Sequence, residues 1–285
     1  MRSADKIYEL LLTFARNNTE ILAVYMNGSR SNPDVKPDKY QDFDIVFVVK
    51  KTESFVENNE WINYFGEIAM IQEPDSELFN FPEKVDYSKS YAWLILFKDG
   101  NRIDLTIQTV DIMKENFLKD SLCVILLDKE GILPDISKSD DRIYWIKKPA
   151  ENQYLGCCNE FWWCINNVAK GIARKQLPYA LRMYYTTVHA ELNKMLEWYI
   201  GINTDFKVSA GYLGKYFQKY LSAEFYEKYC KTYSDGNLEN LKKSINEACS
   251  LFRFTAIEVG KILNYHYNFD DEDNITTYFK KITGE

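Results

Sequence analysis

Apolar positions at Ile7, Leu10, Leu11 and Phe14 recur at helical spacing, so residues 4–18 predict an amphipathic helix. The run ILAVYM (21–26) then reads as a strand. DIVFVV (44–49) reads as a second strand, buried on both faces because its apolar run does not alternate. Residues 53–64 predict a helix. YAWLILFKDGNRIDLTIQTV holds two strand-like runs separated by Asp99-Gly100, a hairpin signal in which the turn supplies positive φ. Residues 111–119 predict another helix, and SLCVILLD (121–128) another strand.

From about Glu151 the pattern changes. ENQYLGCCNEFWWCINNVAKGIARKQ is of helix length and rich in aromatics, and residues 178–200, 210–232 and 237–268 continue with helical periodicity. All seven prolines lie between Pro33 and Pro178, so residues 179–285 carry no such helix breaker. Pro178 itself suits the first turn of a helix, where its missing N–H is no loss. The run Asp270-Asp271-Glu272-Asp273 predicts a solvated connection. The expected fold class is α+β, with an N-terminal mixed-sheet domain over 1–150 and a C-terminal helical bundle domain over 151–285.

Composition narrows the class. The chain has 285 residues, 46% hydrophobic and 27% charged, enough apolar material for a real core. No apolar stretch approaches the ~20 residues of a membrane span. The N-terminal segment is charged and helix-periodic and lacks a signal-peptide core, so a cytoplasmic location is the expectation. A formal net charge of −7 weighs against a nucleic-acid partner and suits a cationic small molecule. The six cysteines form no paired C-x-x-C spacing, and only His189 and His266 could join them, which favours reduced thiols over a zinc site.

The candidate chemistry lies at the start of the second strand. Alternation puts Asp42 and Asp44 on one side and Phe43 on the other. Buried charge requires a partner, so the pair is either a solvated strand end or a cation site. In NRIDLTI, Arg102, Asp104 and Thr106 share a face while Ile103 and Leu105 point to the core. If that strand lies beside 43–49, Asp104 joins Asp42 and Asp44. Oxygen-only ligands favour a hard cation such as magnesium, and three carboxylates on adjacent strands can hold two such ions for phosphoryl or nucleotidyl transfer. Gly28-Ser29 ends the preceding strand. Glycine lets backbone approach a phosphate, the Ser29 hydroxyl adds a donor, and Arg30 adds a charge.

This order of strand, Gly-Ser, loop, D-x-D strand and later Asp resembles the nucleotidyltransferase superfamily with a polymerase-β-like palm. NGSRSN…QDFDIVFVV, ILFKDGNRIDLTI, VILLDKEG, DRIYWIKKP, CCNEFWWCINNVAKGIARKQLPYA and YLSAEFYEKYCKTYS resemble the aminoglycoside 6-adenylyltransferases, the streptomycin-modifying group, over nearly the whole chain. The resemblance implies an antibiotic-resistance enzyme that moves AMP from ATP to an aminoglycoside hydroxyl, position 6 of streptomycin, and releases pyrophosphate. It implies that Gly28, Ser29 and Arg30 belong to the triphosphate loop. Asp42 and Asp44 would be magnesium ligands, with Asp104 the third carboxylate, and either Asp104 or Glu160 the general base. On the aromatic-rich helix, Glu160 is the leading carboxylate for the guanidinium groups of streptomycin. Trp162 and Trp163 lie about 100° apart around that helix, so one packs inward and the other, Trp163, is free to stack on a ligand. Lys170 is a candidate for the triphosphate, and Lys129 for a phosphate or domain contact. The expected partners are ATP and a cationic aminoglycoside, without nucleic acid or membrane, and the expected state is a monomer. The departures are Pro33 and Pro37 before D-x-D, and Asn166, Asn167, Gln176 and Pro178 after the aromatic stretch, and the latter bear on the acceptor. The alternatives are a nucleotidyltransferase with another small-molecule or protein acceptor, and a nucleotide-binding regulator without turnover.

Overall fold

The computed structural model describes every residue except Ser137 and Glu285, and the side chain of every described residue except Leu118. The chain divides into two compact units, the first Met1–Ile143 and the second from Tyr144 onward.

The first unit is built on six strands: β1 (Ile21–Asn27), β2 (Phe43–Val49), β3 (Ile68–Gln72), β4 (Ser90–Phe97), β5 (Arg102–Thr109) and β6 (Cys123–Asp128). Their order across the sheet is β3-β4-β5-β2-β1-β6. β2 and β5 run parallel, and every other neighbouring pair is antiparallel. The helices of this unit are α1 (Ala4–Asn17), α2 (Glu53–Glu57), α3 (Glu77–Asn80) and α4 (Val110–Asn116). Ile7, Leu11 and Ala15 of α1 pack on one face of the sheet with Phe43, Ile45 and Phe47. Met113 of α4 and Phe117 pack on the other with Tyr25, Val46 and Val48. β2 is therefore covered from both sides, which is why its sequence is a continuous apolar run.

Three details differ from the sequence expectation. Residues 53–64 form only the short α2 and then a 3₁₀ stretch, Glu60–Phe65. β3 was not foreseen; it is a five-residue edge strand whose Met70 is exposed, so alternation gives no signal there. The Asp99-Gly100 hairpin does form, but only Gly100 has positive φ (86°), and Phe97 N–H bonds Asn101 O at 2.9 Å. The connection is thus longer than a two-residue turn.

The second unit contains α5 (Glu151–Ala173), α6 (Leu177–Met183), α7 (His189–Asn203), α8 (Phe217–Tyr220), α9 (Ala223–Lys231), α10 (Leu238–Leu263) and α11 (Phe269–Thr283). Its core is aromatic: Phe161 of α5 stacks on Phe252 of α10 with centroids 3.7 Å apart. Pro178 sits in the first turn of α6 as expected, and a π-helical turn, Tyr184–Val188, joins α6 to α7. Residues 210–232 are not one helix. Gly211, Leu213 and Gly214 all adopt positive φ, which breaks the segment before α8 and α9. Nor is the acidic run a solvated connection. Its first three residues lie in the first turn of α11, capped by Asn268, where the helix dipole favours carboxylates, and Asp273 follows in the helix. Glu272 is 1% exposed; it accepts from Tyr267 Oη at 2.8 Å and pairs with the Arg253 guanidinium.

Candidate active site

The parallel pairing of β2 with β5 sets Asp44 opposite Asp104 in register. Asp42 lies just before β2, on the same side as Asp44 by strand alternation. Asp44 also reaches the end of β1: a Cβ built on Gly28 would fall 2.0 Å from Asp44 Oδ2. Gly28 has φ +73°, so its lack of a side chain serves both the turn and the close approach of the carboxylate. Gly28, Ser29, Arg30, Asp42, Asp44 and Asp104 are thereby brought to one end of the central strands, where β1 ends and β2 and β5 begin.

The Gly-Ser turn is internally braced. Ser29–Ser31 forms a 3₁₀ turn, and Ser31 Oγ donates to Gly28 O at 2.7 Å. Arg30 donates from Nε to Asp42 O at 3.0 Å and from Nη2 to Gln41 O at 2.7 Å. Its guanidinium carbon lies 3.8 Å from the centre of the Phe43 ring, which Tyr8 meets edge-on from α1. Arg30 therefore holds the chain entering the D-x-D strand, a positioning task beyond the charge expected of it. Gln41, which donates to Ser29 O at 3.3 Å, completes the brace and was not anticipated.

The carboxylates carry more negative charge than their surroundings balance. Burial first, then the charges of Asp104 and Asp42, push Asp44 up to about 6 against the pull of Arg102. Asp42 is also raised, first by burial, against the opposing pull of Arg102. Arg102 is the residue that sequence reasoning left without a role. Its Nε and Nη2 donate to the two oxygens of Asp104, both at 2.7 Å, and Nη1 lies 3.6 Å from Asp42 Oδ2. Its position two residues before Asp104 on the same strand face was the available signal. Among the described residues no group of three His, Cys, Asp or Glu side chains stands close enough to hold a metal ion. The donor set nonetheless suits a hard cation: all donors are oxygens, and one fork-shaped cation faces three acids.

The remaining candidates lie on α5 in the second unit. Trp162 is 1% exposed and donates from Nε1 to Tyr267 Oη at 2.9 Å, so it is the tryptophan that packs inward. Trp163 is 61% exposed. Glu160 is exposed and accepts a weak bond from Cys164 Sγ at 3.4 Å. Lys170 donates to Asn166 Oδ1 at 2.6 Å, and Asn166 in turn donates to Trp163 O. Glu160, Trp163 and Lys170 follow one another along a single solvent-facing stripe of the helix. Lys129, by contrast, is occupied within the first unit, donating to Asn18 O at 2.8 Å. Tyr184 is buried and Tyr199 stacks on Phe225, both serving packing. Four of the six free cysteines are buried, as expected of reduced core thiols.

Comparison with known proteins gives this geometry its context. The family model for streptomycin adenylyltransferase matches residues 1–282. An aminoglycoside 6-adenylyltransferase from Staphylococcus aureus is 34% identical over 283 residues, 98% of each chain. The enzyme of that name from Bacillus subtilis is 36% identical over 284 residues, 99% of this chain and 98% of its own. A crystal structure of a Bacillus subtilis aminoglycoside 6-adenyltransferase aligns with 99% of both chains at 32% identity and a TM-score of 0.48. With a match over almost its whole length, the chain belongs to the streptomycin adenylyltransferase family of nucleotidyltransferases.

Proposed function

We propose that this enzyme transfers AMP from ATP to a hydroxyl of a cationic aminoglycoside, position 6 of streptomycin, and releases pyrophosphate. The observation that carries the reading is the β2–β5 register, which sets Asp44 opposite Asp104 beside the Gly28 turn. Asp42, Asp44 and Asp104 would hold magnesium, which when bound supplies charge neutralisation on the triphosphate and polarises the α-phosphate. The Gly28-Ser29 turn receives the phosphates through its backbone, with Arg30 fixing the turn to the D-x-D entry. Asp44, held near 6 by burial and two neighbouring acids, is the carboxylate that gains most from a cation. Glu160 offers a carboxylate for a guanidinium group and Trp163 an open ring face for stacking. Asp104 can take the acceptor's proton only through an oxygen that Arg102 has released.

The test is pyrophosphate release from ATP and magnesium, with and without streptomycin, followed by the mass of the drug. Streptomycin-dependent release with one added AMP is expected. Release that depends on another acceptor would replace streptomycin, and nucleotide binding without release under any acceptor would replace the transfer reaction itself.

A further inference from the structure

We propose that Arg102 is a positioning residue that competes with a metal cation for the oxygens of Asp104 and must leave them before metal and nucleotide load. The proposal rests on the transferase reading above. Arg102 and Asp104 share one face of β5, two residues apart, and the guanidinium fork meets both carboxylate oxygens at 2.7 Å. Bidentate pairing of this kind occupies the oxygens a metal would use. It also draws Asp104 along its own strand, whereas its register partner Asp44 lies across on β2. The same guanidinium stands 3.6 Å from Asp42 Oδ2, so a single fork links the two outer acids of the trio. The clamp accounts for three carboxylates at the N-terminal end of the central strands that do not form a metal-binding group among the described residues.

The clamp is built to open. The Arg102 side chain is 42% exposed and that of Asp104 is 21% exposed, so the guanidinium can swing into solvent without breaking the core. Once released it remains a planar cation beside the Gly28 turn's carboxylate neighbours, and its fork fits a phosphate as well as a carboxylate. Metal alone must compete with Arg102 for Asp104. Metal with a triphosphate offers Arg102 a replacement partner. Metal and nucleotide should therefore bind with strong mutual enhancement, a coupling that is reciprocal by linkage.

Manganese, which accepts the same oxygen ligands as magnesium, reports this directly through the electron paramagnetic resonance signal of the free ion. Titrations would compare wild type, Arg102→Gln and Arg102→Lys, each with and without a non-hydrolysable ATP analogue. Without nucleotide, Arg102→Gln should bind manganese about tenfold more tightly than wild type, because a competing cation is gone. The enhancement by the analogue should shrink in the same variant. Arg102→Lys, which keeps the charge and loses the fork, should fall between and decides the matter if Arg102→Gln does not fold. Equal or weaker manganese binding in folded variants, with wild type still binding manganese and analogue together, overturns the clamp and leaves the transferase reading standing. No manganese binding by any of the proteins, even with the analogue, overturns the metal assignment and the clamp together.

Discussion

Gly28 and Gly131 share the sign of φ and differ in their neighbours. Both have positive φ, +73° and +64°, but a Cβ on Gly28 would strike Asp44 Oδ2 whereas one on Gly131 meets nothing within 4 Å. Alanine should cost about 1 kcal/mol in backbone strain at Gly131 and about 2 or more at Gly28, whose φ +73° and ψ −160° lie where essentially only glycine is found. Only Gly28→Ala should also displace the Asp44 carboxylate and lose ATP binding by tenfold or more. Denaturant curves and ATP titrations of the pair separate the two effects, and equal ATP affinity in the two variants would dissociate the turn from the site. The acids themselves admit a simpler test. Asp42→Asn and Asp44→Asn should each abolish turnover while keeping the fold, because an amide cannot balance a cation. Full activity in either would remove that residue from the site.

At the scale of elements, α11 is held by one acid out of four. Glu272 is buried and joined to Tyr267 and Arg253, while Asp273, next in sequence, is exposed. Glu272→Ala should destabilise the second unit by about 2 kcal/mol. That is less than the 3–5 of a fully buried pair, because Arg253 is 48% exposed and stays solvated. Asp273→Ala should change stability by no more than about 0.5 kcal/mol, apart from a small dipole effect. Urea unfolding of the two variants checks this, and similar values would mean that the contacts of Glu272 with Tyr267 and Arg253 do not anchor the helix. The same segment marks where sequence legibility ends. Four consecutive acids look alike in a sequence, and the partners that single out Glu272 stand five and nineteen residues away. β2 and β5 were legible because their own side chains carry the pattern, an unbroken apolar run and a period of two. β3 was not, since an edge strand with an exposed methionine has no face to encode. Residues 210–232 were read as helix although Gly211 and Gly214 flank the break, a local signal outweighed by periodicity. At the site, alternation alone placed Asp42 with Asp44 and Arg102 with Asp104. The clamp between those pairs follows from the parallel register, a long-range fact that neither segment contains.

At the scale of the whole molecule, the two units should respond to acid in opposite directions. His189 in the second unit is buried, its Nε2 2.9 Å from Thr232 Oγ1, and burial lowers it to about 4. The unfolded chain protonates this group below about 6.5, whereas the folded chain resists until about 4, so the stability it contributes is present at neutral pH. It is lost as pH falls through that window, by about 2 kcal/mol between pH 7 and pH 5. Asp44 in the first unit behaves in reverse. Its folded value of about 6 lies above its unfolded value near 3.8, so the folded state takes up the proton first. Acidification over the same range should therefore stabilise the first unit by about 1 kcal/mol, and rising pH removes that gain. Melting of metal-free enzyme at pH 7 and pH 5 reads both effects, at roughly 2–4 °C per kcal/mol for units of this size. His189→Gln should lose less of its melting temperature on acidification than wild type does. Asp44→Asn should lose more, because it lacks the compensating uptake. The variants make the comparison independent of whether the units melt separately or together. If both follow the wild-type profile, neither group controls the acid response, and the opposition between the units disappears with them.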